Sequence, residues 1–374
     1  MTARLAVVTD VYTYESHGLQ IADRFLIGYP REGRWHRPDM RVVSLYAAQK
    51  QAGDLSAQRA AEFGFRLYPT IAETLRCGGE KLAVDAVLMA GDFAKSCVEV
   101  FETGGRGVPV YHDMQLSSFE NAKWMVESAR RLNFPLLAGS SLPLTWRLPD
   151  MELPFGCEIE DALMVGTGES GASEHKALET MQAMIERRRN GETGVKAAQM
   201  IEGAEVWKAG DDGRWSKQLL TAALSRSDTP QGLTLNDGRT QDLVGSGELP
   251  RIVPRPAACF IEYRDGLRTT LLMLNGAVKD FTFAARLKGG SIRSTQFLLT
   301  PEPNATYSAC LAAKIEEMFT TGKAPYPAEQ ALLATGILEA CLESKSKDSR
   351  RVETPHLDIQ YQPPADSQHC RGQA

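Results

Sequence analysis

The sequence lacks several features that would assign it to a common class. None of its apolar runs approaches the roughly 20 residues of a membrane-spanning helix, and its N-terminus has no secretory signal pattern. The net charge of -5 gives no basic footprint for nucleic acid. The seven cysteines form no CxxC pair, which is typical of reduced thiols in the cytoplasm. We therefore expect a cytoplasmic protein with neither membrane nor nucleic-acid partners.

The composition that remains is that of an ordinary globular protein. With 374 residues, 43% of them hydrophobic, the chain is long enough for two domains with separate cores. The pattern of elements predicts a Rossmann-like domain over residues 1–150 and an α+β domain over 151–361. The polar, proline-containing residues 362–374 are predicted to form a disordered tail.

The first 150 residues alternate short apolar runs with amphipathic stretches. Several of the apolar runs are continuous, as expected for strands that are covered by helices on both faces. Alternation of this kind predicts an α/β fold with a doubly wound parallel sheet. The predicted strands are 4–9, 40–46, 65–68, 84–90, 108–111 and 135–138, and the predicted helices are 17–28, 54–63, 71–76, 93–103 and 117–132.

The second half has a different pattern. Long β-rich segments flank the turn Arg264-Asp265-Gly266, whose Asp-Gly pair is typical of hairpins. We expect an open mixed or antiparallel sheet with one exposed face, which would receive a substrate or a second copy of the chain, giving a homo-oligomer. The predicted strands are 159–166, 195–201, 204–209, 258–263, 267–274, 279–287 and 291–299, and the predicted helices are 174–190, 305–321 and 327–343.

Polar residues follow the predicted strands of the first domain. In open parallel sheets, ligands bind beyond the carboxyl ends of the strands, so these residues are expected to line a cleft. Each also has a structural explanation, since Asp10 or Asp92 could cap a helix and His112 could lie in a solvated loop. The candidates are Asp10, Tyr12, Glu15 and His17 after the first strand, Gly91 and Asp92 after the fourth, and His112, Asp113 and Gln115 after the fifth.

Two further candidate sites lie outside that cleft. Trp146 could stack on a sugar and Arg147 could clamp an anion, or both could belong to a rigid interdomain linker. His175 and Glu179 are four residues apart on a predicted helix, which suits general acid–base chemistry or a surface contact. The charged run 186–194 is predicted to be a solvated helix end that is terminated by a glycine.

Metal and serine chemistry have little support in the sequence. His17, Asp92, Asp113, His175 and Glu179 could converge on an ion, but no HxxH, HExxH or paired-cysteine spacing is present. Gly139-Ser140-Ser141 is not a GxSxG elbow. We therefore predict no metal site and no serine hydrolase.

Four stretches, spread over nearly the whole chain, have the order and spacing of one known family. They are Val84-Asp85-Ala86-Val87-Leu88, the segment 107–117 with its following helix, His175 with Leu178 and Glu179, and Phe319-Thr-Thr-Gly-Lys-Ala-Pro with the helix and strand after it. In this the chain resembles the Gfo/Idh/MocA family of sugar and polyol oxidoreductases. The resemblance implies NAD or NADP on the first domain, a sugar-like or polyol substrate, and oligomerisation through the second-domain sheet.

The chain departs from that family at the residues that carry its chemistry. Residues 11–17 replace the glycine-rich turn, and the second strand ends in Ser44-Leu-Tyr-Ala-Ala-Gln49 without an acidic residue for the adenosine ribose. Met114 stands at the position of the catalytic lysine, and Gly171 stands where an aspartate is expected four residues before His175. Of the usual catalytic set, only His175 has a match.

Two classes of function follow from this comparison. The first is an NAD(P)-dependent oxidoreductase of a sugar-like or polyol substrate. The second is a relative without dinucleotide binding, either a cofactor-independent lyase, isomerase or hydrolase or a non-catalytic partner protein. Both enzyme hypotheses use the same candidates: His175, Glu179 and Asp113 as catalytic groups, Asp10, Tyr12, His17, Gly91 and Asp92 toward a cofactor, and His112, Gln115, Trp146 and Arg147 toward a substrate.

Overall fold

The computed structural model describes residues 2–14, 16–113, 117–168, 171–229, 242–300 and 305–371. Its strands are β1 Ala3–Thr9, β2 Tyr29–Arg31, β3 Arg34–His36, β4 Met40–Ala47, β5 Arg66–Leu67, β6 Ala86–Ala90, β7 Val110–Asp113, β8 Leu136–Ala138, β9 Arg147–Leu148, β10 Ile159–Gly166, β11 Val195–Glu202, β12 Ala257–Tyr263, β13 Arg268–Met273, β14 Phe281–Leu287, β15 Ile292–Phe297 and β16 Val352–Glu353. Its helices are α1 His17–Leu26, α2 Ser56–Phe63, α3 Ile71–Arg76, α4 Ala94–Gly104, α5 Phe119–Arg131, α6 Gly171–Ile185, α7 Ala204–Asp211, α8 Lys217–Leu224, α9 Leu249–Ile252, α10 Ala305–Thr321 and α11 Glu329–Ser346.

The chain divides into two compact units that are not simple halves. The first comprises Met1–Ser141, Thr300–Leu332 and Cys370–Ala374, and the second comprises Leu142–Leu299 and Leu333–His369. The expected division at residue 150 differs from this, because the chain returns to the first unit after residue 299. Composition alone does not reveal such a return, since the segment 300–332 has no unusual residue content.

The first unit contains the expected doubly wound sheet. Its six strands lie in the order β5-β4-β1-β6-β7-β8, and every neighbouring pair is parallel. Leu5, Ala6, Val7 and Val8 of β1 are all buried, as a central strand covered on both faces requires. The Rossmann-like prediction is confirmed, and the six predicted strands agree with the observed ones to within a few residues.

A small hairpin, β2 with β3, was not predicted in this unit. Its Tyr29 hydroxyl donates a hydrogen bond to Glu316 of α10 at 2.5 Å, and His36 Nε2 lies 2.8 Å from the same carboxylate. The Phe25 ring of α1 also packs near Phe319, with the centroids 6.1 Å apart. Helix α10 is therefore part of the first unit's core, although it lies some 280 residues further along the chain.

The second unit is built on an eight-stranded mixed sheet in the order β16-β11-β12-β13-β10-β14-β15-β9. Pairing is antiparallel throughout except between β10 and β13, so the mixed-sheet prediction is confirmed. Strands β12 and β13 form the expected hairpin, and Gly266 in its turn has a φ of 94°.

The central part of this sheet is covered on both faces, contrary to the expectation of an exposed face. Leu163 and Val165 of β10 belong to a core that includes Val206 of α7 and Leu219 and Leu220 of α8. Ala162 and Met164, which alternate with them and point to the other face, are equally buried. Homo-oligomerisation therefore stays a prediction, and an exposed face of this sheet no longer supports it.

The error arose from segment 204–209, which was predicted as a strand. It forms helix α7, in which Val206, Ala209 and Gly210 are buried at the spacing of one helical face. Helix α8 covers the same face of the sheet through Leu219 and Leu220. Its N-terminus is capped by Ser216, which accepts a hydrogen bond from Leu219 N at 3.2 Å. A window of six residues fits the period of a helix and that of a strand, so the pattern alone does not distinguish them.

Most side chains of the charged run after α6 are buried, which corrects the prediction of a solvated helix end. The Arg188 guanidinium contacts Glu192 at 3.1 Å and Asp265 at 2.6 Å, and it lies 4.8 Å from the Tyr263 ring centroid. Opposite charges and an aromatic face compensate for its desolvation. Glu192 also accepts hydrogen bonds from the main-chain amides of residues 193 and 194.

Residues 362–369 make defined contacts within the second unit, whereas a disordered tail was expected over 362–374. Arg187 Nη1 donates to the Ala365 carbonyl at 2.9 Å, and the Tyr361 hydroxyl donates to Glu186 at 2.6 Å. His369 Nε2 lies 2.8 Å from Asp150. The buried arginine and glutamate side chains of the run 186–192 thus fix the segment, an arrangement that local polarity does not indicate.

Within the described ranges, no helix is both long enough and apolar enough to cross a membrane.

Candidate functional site

The first unit brings several of the predicted residues together at one edge of its sheet. Strands β1, β6 and β7 are neighbours, and their carboxyl ends carry Asp10, Asp92 and Asp113. In a parallel sheet these ends meet at the same edge, which is where ligands bind in this type of fold. We call this group, together with His17, the strand-end cluster.

The centre of the strand-end cluster is a pair formed by His17 and Asp113. The imidazole Nδ1 lies 2.6 Å from Asp113 Oδ2. His17 is the first residue of α1, and Ser16 caps that helix by accepting from Leu19 N. About a third of the His17 side chain is exposed, whereas Asp113 is almost fully buried. The pair therefore combines a fixed carboxylate with an accessible imidazole.

This contact determines which imidazole nitrogen is available for chemistry. A carboxylate accepts a hydrogen bond, so Nδ1 carries the proton and Nε2 keeps its lone pair in the neutral ring. Among the residues that the structure describes, none is hydrogen-bonded to His17 Nε2. An Asp–His pair of this form can accept a proton at Nε2, because the carboxylate stabilises the imidazolium that results.

Asp10 and Asp92 place further negative charge beside this pair. Burial, and then the neighbouring Asp92 carboxylate, raise the pKa of Asp10 above its ordinary value. Gly91 lies against Asp10, because a Cβ on Gly91 would be 2.7 Å from Asp10 Oδ2. Asp92 is held by Asn121 Nδ2 at 2.5 Å and by the Ser117 hydroxyl at 3.3 Å. Neither contact was predicted, because nothing in the sequence links positions some 25 residues apart.

Asp10→Asn is expected to raise the melting temperature at pH 7. The raised pKa means that the protonated carboxyl is favoured in the folded state, so its contribution is present at low pH and lost as the pH rises through that pKa. Asparagine keeps the uncharged state at every pH. The gain should shrink toward pH 4 in thermal unfolding scans. Asp39→Asn, an exposed aspartate of the same unit, should show no such gain.

Two strand-end candidates have buried side chains. Tyr12 is fully buried and its hydroxyl donates to Asp23 at 3.3 Å, so it supports the loop and does not face a ligand. His112 is fully buried in β7, and its Nε2 lies 3.3 Å from the Gly91 carbonyl oxygen. Burial lowers the pKa of His112, so this ring is neutral. The cofactor contact predicted for Tyr12 and the substrate contact predicted for His112 stay predictions that this geometry does not support.

Gln115, predicted to bind substrate, and Glu15 lie outside the described residues, as does Met114.

The second unit holds the other predicted catalytic residues. His175 and Glu179 lie on α6, and neither side chain has exposed surface. The His175 Nε2 atom is 3.0 Å from the Thr335 hydroxyl of α11. Their catalytic role stays a prediction.

Trp146 and Arg147 belong to the edge of the second unit's sheet. Strand β9 pairs with β15, and the Trp146 carbonyl accepts from Leu298 N at 2.9 Å. Arg147 is buried, donates to the Met151 carbonyl at 3.0 Å, and lies 5.7 Å from the Phe297 ring centroid. These contacts match the linker alternative, while the substrate-binding role stays a prediction.

The strand-end cluster does not fit the pyrophosphate of a dinucleotide. The described residues between β1 and α1 include no glycine. The Leu19 amide in the first helical turn already donates a hydrogen bond to the Ser16 side chain, so it is not available to a phosphate. Carboxylates stand at the ends of three adjacent strands, where a phosphate would be repelled. One feature of dinucleotide folds is kept, because Gly18 lets α1 lie against β1.

Gly18→Ala should destabilise the first unit by about 1–3 kcal/mol, as overpacking of a tight contact does. A Cβ there would lie 2.2 Å from Thr9 Oγ1 and 2.8 Å from Thr9 Cβ. Urea unfolding would measure the change. Gly104→Ala is the matched control, since its Cβ would meet Leu82 Cβ at an ordinary 3.6 Å. An equal loss in both variants would contradict the close approach.

No group of three or more His, Cys, Asp or Glu side chains suitable for a metal ion occurs in the described part of the chain.

Sequence comparison finds no matching family model and no matching curated protein. Structure comparison finds dehydrogenases. GenD2 from gentamicin A biosynthesis, in complex with NAD, has a TM-score of 0.57 at 13% identity, covering 94% of this chain and 97% of its own. The myo-inositol dehydrogenase of Lactobacillus casei, in complex with NAD(H) and myo-inositol, has a TM-score of 0.59 at 11% identity and the same coverages.

The scyllo-inositol dehydrogenase of Lactobacillus casei, with bound NAD(H) and scyllo-inositol, has a TM-score of 0.58 at 9% identity, covering 94% of this chain and 99% of its own. Identities this low establish a shared fold and nothing finer. The chain has the two-domain fold of the Gfo/Idh/MocA-type dehydrogenases, as its sequence resemblance implied.

Proposed function

We propose that this protein is an enzyme of the dehydrogenase fold that acts on a carbonyl-bearing, sugar-like or polyol-derived substrate by proton transfer at His17, without a dinucleotide. The observation that carries the proposal is the 2.6 Å contact between His17 Nδ1 and Asp113 Oδ2 at the carboxyl edge of the sheet. It supplies an oriented, accessible base at the place where this type of fold binds ligands.

The neighbouring carboxylates support a hydroxyl-bearing substrate. Asp10 and Asp92 are acceptors, and each hydroxyl of a polyol is a donor that a carboxylate binds by a charge-assisted hydrogen bond. An anionic substrate group would meet repulsion at the same place. Two of the structurally similar proteins are described with bound myo-inositol or scyllo-inositol, which agrees with this substrate class.

The proposed reaction class needs no redox partner. His17 Nε2 would remove a proton from a hydroxyl-bearing carbon next to a carbonyl, leaving an enediolate. The hydroxyl proton would pass to the former carbonyl oxygen, and the imidazolium would return a proton to the former carbonyl carbon. The electron pair of the broken C–H bond moves into the carbon framework and back, so an isomer forms with no net oxidation. The same proton removal can also lead to elimination, in which hydroxide leaves from the neighbouring carbon and takes the proton from the imidazolium to form water.

A second candidate is an NAD(P)-dependent oxidoreductase of the same substrate class. It is favoured by the fold shared with dehydrogenases that bind NAD(H). The lack of glycines in the loop before α1 and the three strand-end carboxylates disfavour it. We therefore rank it second.

Ligand-dependent melting separates the two candidates. A ligand that binds only the folded state stabilises it in proportion to the logarithm of its concentration over Kd. We expect no shift with NAD, NADH, NADP or NADPH at millimolar concentration. We also expect loss of carbon-bound hydrogen signal when a panel of aldoses, ketoses and inosose sugars is incubated in D2O and followed by proton NMR. A dinucleotide shift of several degrees, with no exchange in D2O, would establish the second candidate instead.

A further inference from the structure

A groove lined by three arginines lies at the opposite edge of the first unit's sheet. Arg4 is the second residue of β1, Arg41 the second of β4 and Arg66 the first of β5, so all three stand at the amino ends of adjacent strands. The groove has a volume of 490 Å³, which is within the range of about 300–1,000 Å³ for small-molecule sites. It shares no residue with the strand-end cluster.

The three guanidinium groups are not paired with a carboxylate among the described residues. None forms an ion pair or a side-chain hydrogen bond there, and the nearby Asp85 carboxylate accepts the main-chain amide of Arg4 at 2.9 Å. Arg4 and Arg41 are direct partners in the strand register. Like charges at such positions destabilise a sheet, so the arrangement costs folding free energy unless an anion is bound.

Tyr68 adds a ring and a hydroxyl to the same groove. It is half-buried, and Gly78 backs its ring, because a Cβ on Gly78 would lie 3.1 Å from Tyr68 Cε1. A main-chain bond from Tyr68 N to the Leu45 carbonyl, at 3.1 Å, ties this segment to β4. The wall beside the arginines is therefore fixed, and it offers one neutral donor.

We propose that this groove binds a phosphoryl group, carried by a small phosphorylated metabolite or as free phosphate. Guanidinium groups bind phosphate oxygens in pairs of parallel hydrogen bonds, and three such groups match a dianion with three terminal oxygens. A nucleic acid is disfavoured, because the chain has a net charge of -5 and only three arginines line this groove.

The test is titration calorimetry with inorganic phosphate and with glucose 6-phosphate, at constant ionic strength set with chloride. Arg41→Gln and Arg66→Gln should each weaken binding about tenfold, the loss of one charge-assisted interaction. Arg34→Gln, an exposed arginine of β3, is the matched control and should bind as the parent does. Tighter binding of the sugar phosphate identifies an organic ligand, and equal binding identifies free phosphate.

A second measurement excludes a folding artefact. Without ligand, Arg41→Gln should melt at the same temperature as the parent or on the order of 1 °C higher, since it removes a like-charge pair. Absence of phosphate binding to the parent protein would overturn the proposal. An equal loss of affinity in Arg34→Gln, or an Arg41→Gln variant that melts several degrees lower, would do so as well.

Discussion

His17→Gln is expected to lower the rate of solvent hydrogen exchange into the substrate by about 10²–10⁴-fold, the usual contribution of a positioned general base. Glutamine can still reach Asp113 with its amide, but it has no basic nitrogen at the Nε2 position. Helix α1 keeps its Ser16 cap, so folding should be unaffected. Deuterium incorporation measured by proton NMR, alongside the melting temperature, gives both quantities.

Asp113→Asn should lower the rate to a similar extent for a different reason. The asparagine amide donates to Nδ1 and so favours the tautomer with its proton on Nε2, which removes the base. Nitrogen-15 NMR of labelled histidine would show this change of tautomer in His17 directly. That readout does not depend on knowing the substrate.

The first unit offers a matched control for both substitutions. His36 also contacts a carboxylate, Glu316, at 2.8 Å, and its side chain is similarly exposed. It lies on β3, away from the carboxyl edge of the sheet. His36→Gln should retain the parent's exchange rate, and a loss equal to that of His17→Gln would mean that the imidazole of the strand-end cluster is not the base.

Arg188→Met should destabilise the second unit by about 3–5 kcal/mol, because removing one member of a buried ion pair leaves the other charge uncompensated. Glu192 and Arg188 are both buried, and their side chains are 3.1 Å apart. Methionine keeps most of the apolar stem, so the effect reports the charge more than the volume. Urea unfolding of the full chain measures it.

The adjacent residue is the control for this large effect. Arg189 is exposed and contacts Glu158, itself on the surface, at 2.6 Å. Arg189→Met should change stability by no more than about 0.5 kcal/mol, as exposed pairs usually do. The double variant Arg188→Met with Glu192→Gln should recover part of the loss. No recovery would show that lost packing against Tyr263, and not the unpaired carboxylate, explains the single variant.

The parallel sheet was predictable because its strands are continuous apolar runs. Their order along the chain, together with the β–α alternation, leaves few alternatives for the topology. The second unit was harder, since segment 204–209 carries Val206 and Ala209 at a spacing that six residues do not resolve into helix or strand. Because this segment was assigned as a strand, the helix that covers one face of the second unit's sheet was missed.

The sequence predicted the residues of the candidate site but not the contacts between them. Asp10, Asp92, His17 and Asp113 were found from the general position of ligands in parallel sheets. The pairing of His17 with Asp113 joins residues 96 positions apart, so it depends on tertiary structure. Tyr12 and His112 were chosen by the same rule, but both side chains are buried, Tyr12 in the loop after β1 and His112 within β7.

The interleaved path of the chain bears on how the protein folds during synthesis. Phe25 and Tyr29 each contact a residue of α10, which is made after every strand of the second unit's sheet except β16. The apolar surface of the nascent N-terminal segment that contacts α10 therefore stays uncovered until α10 has been synthesised. During that interval the uncovered apolar surface is open to association with other chains.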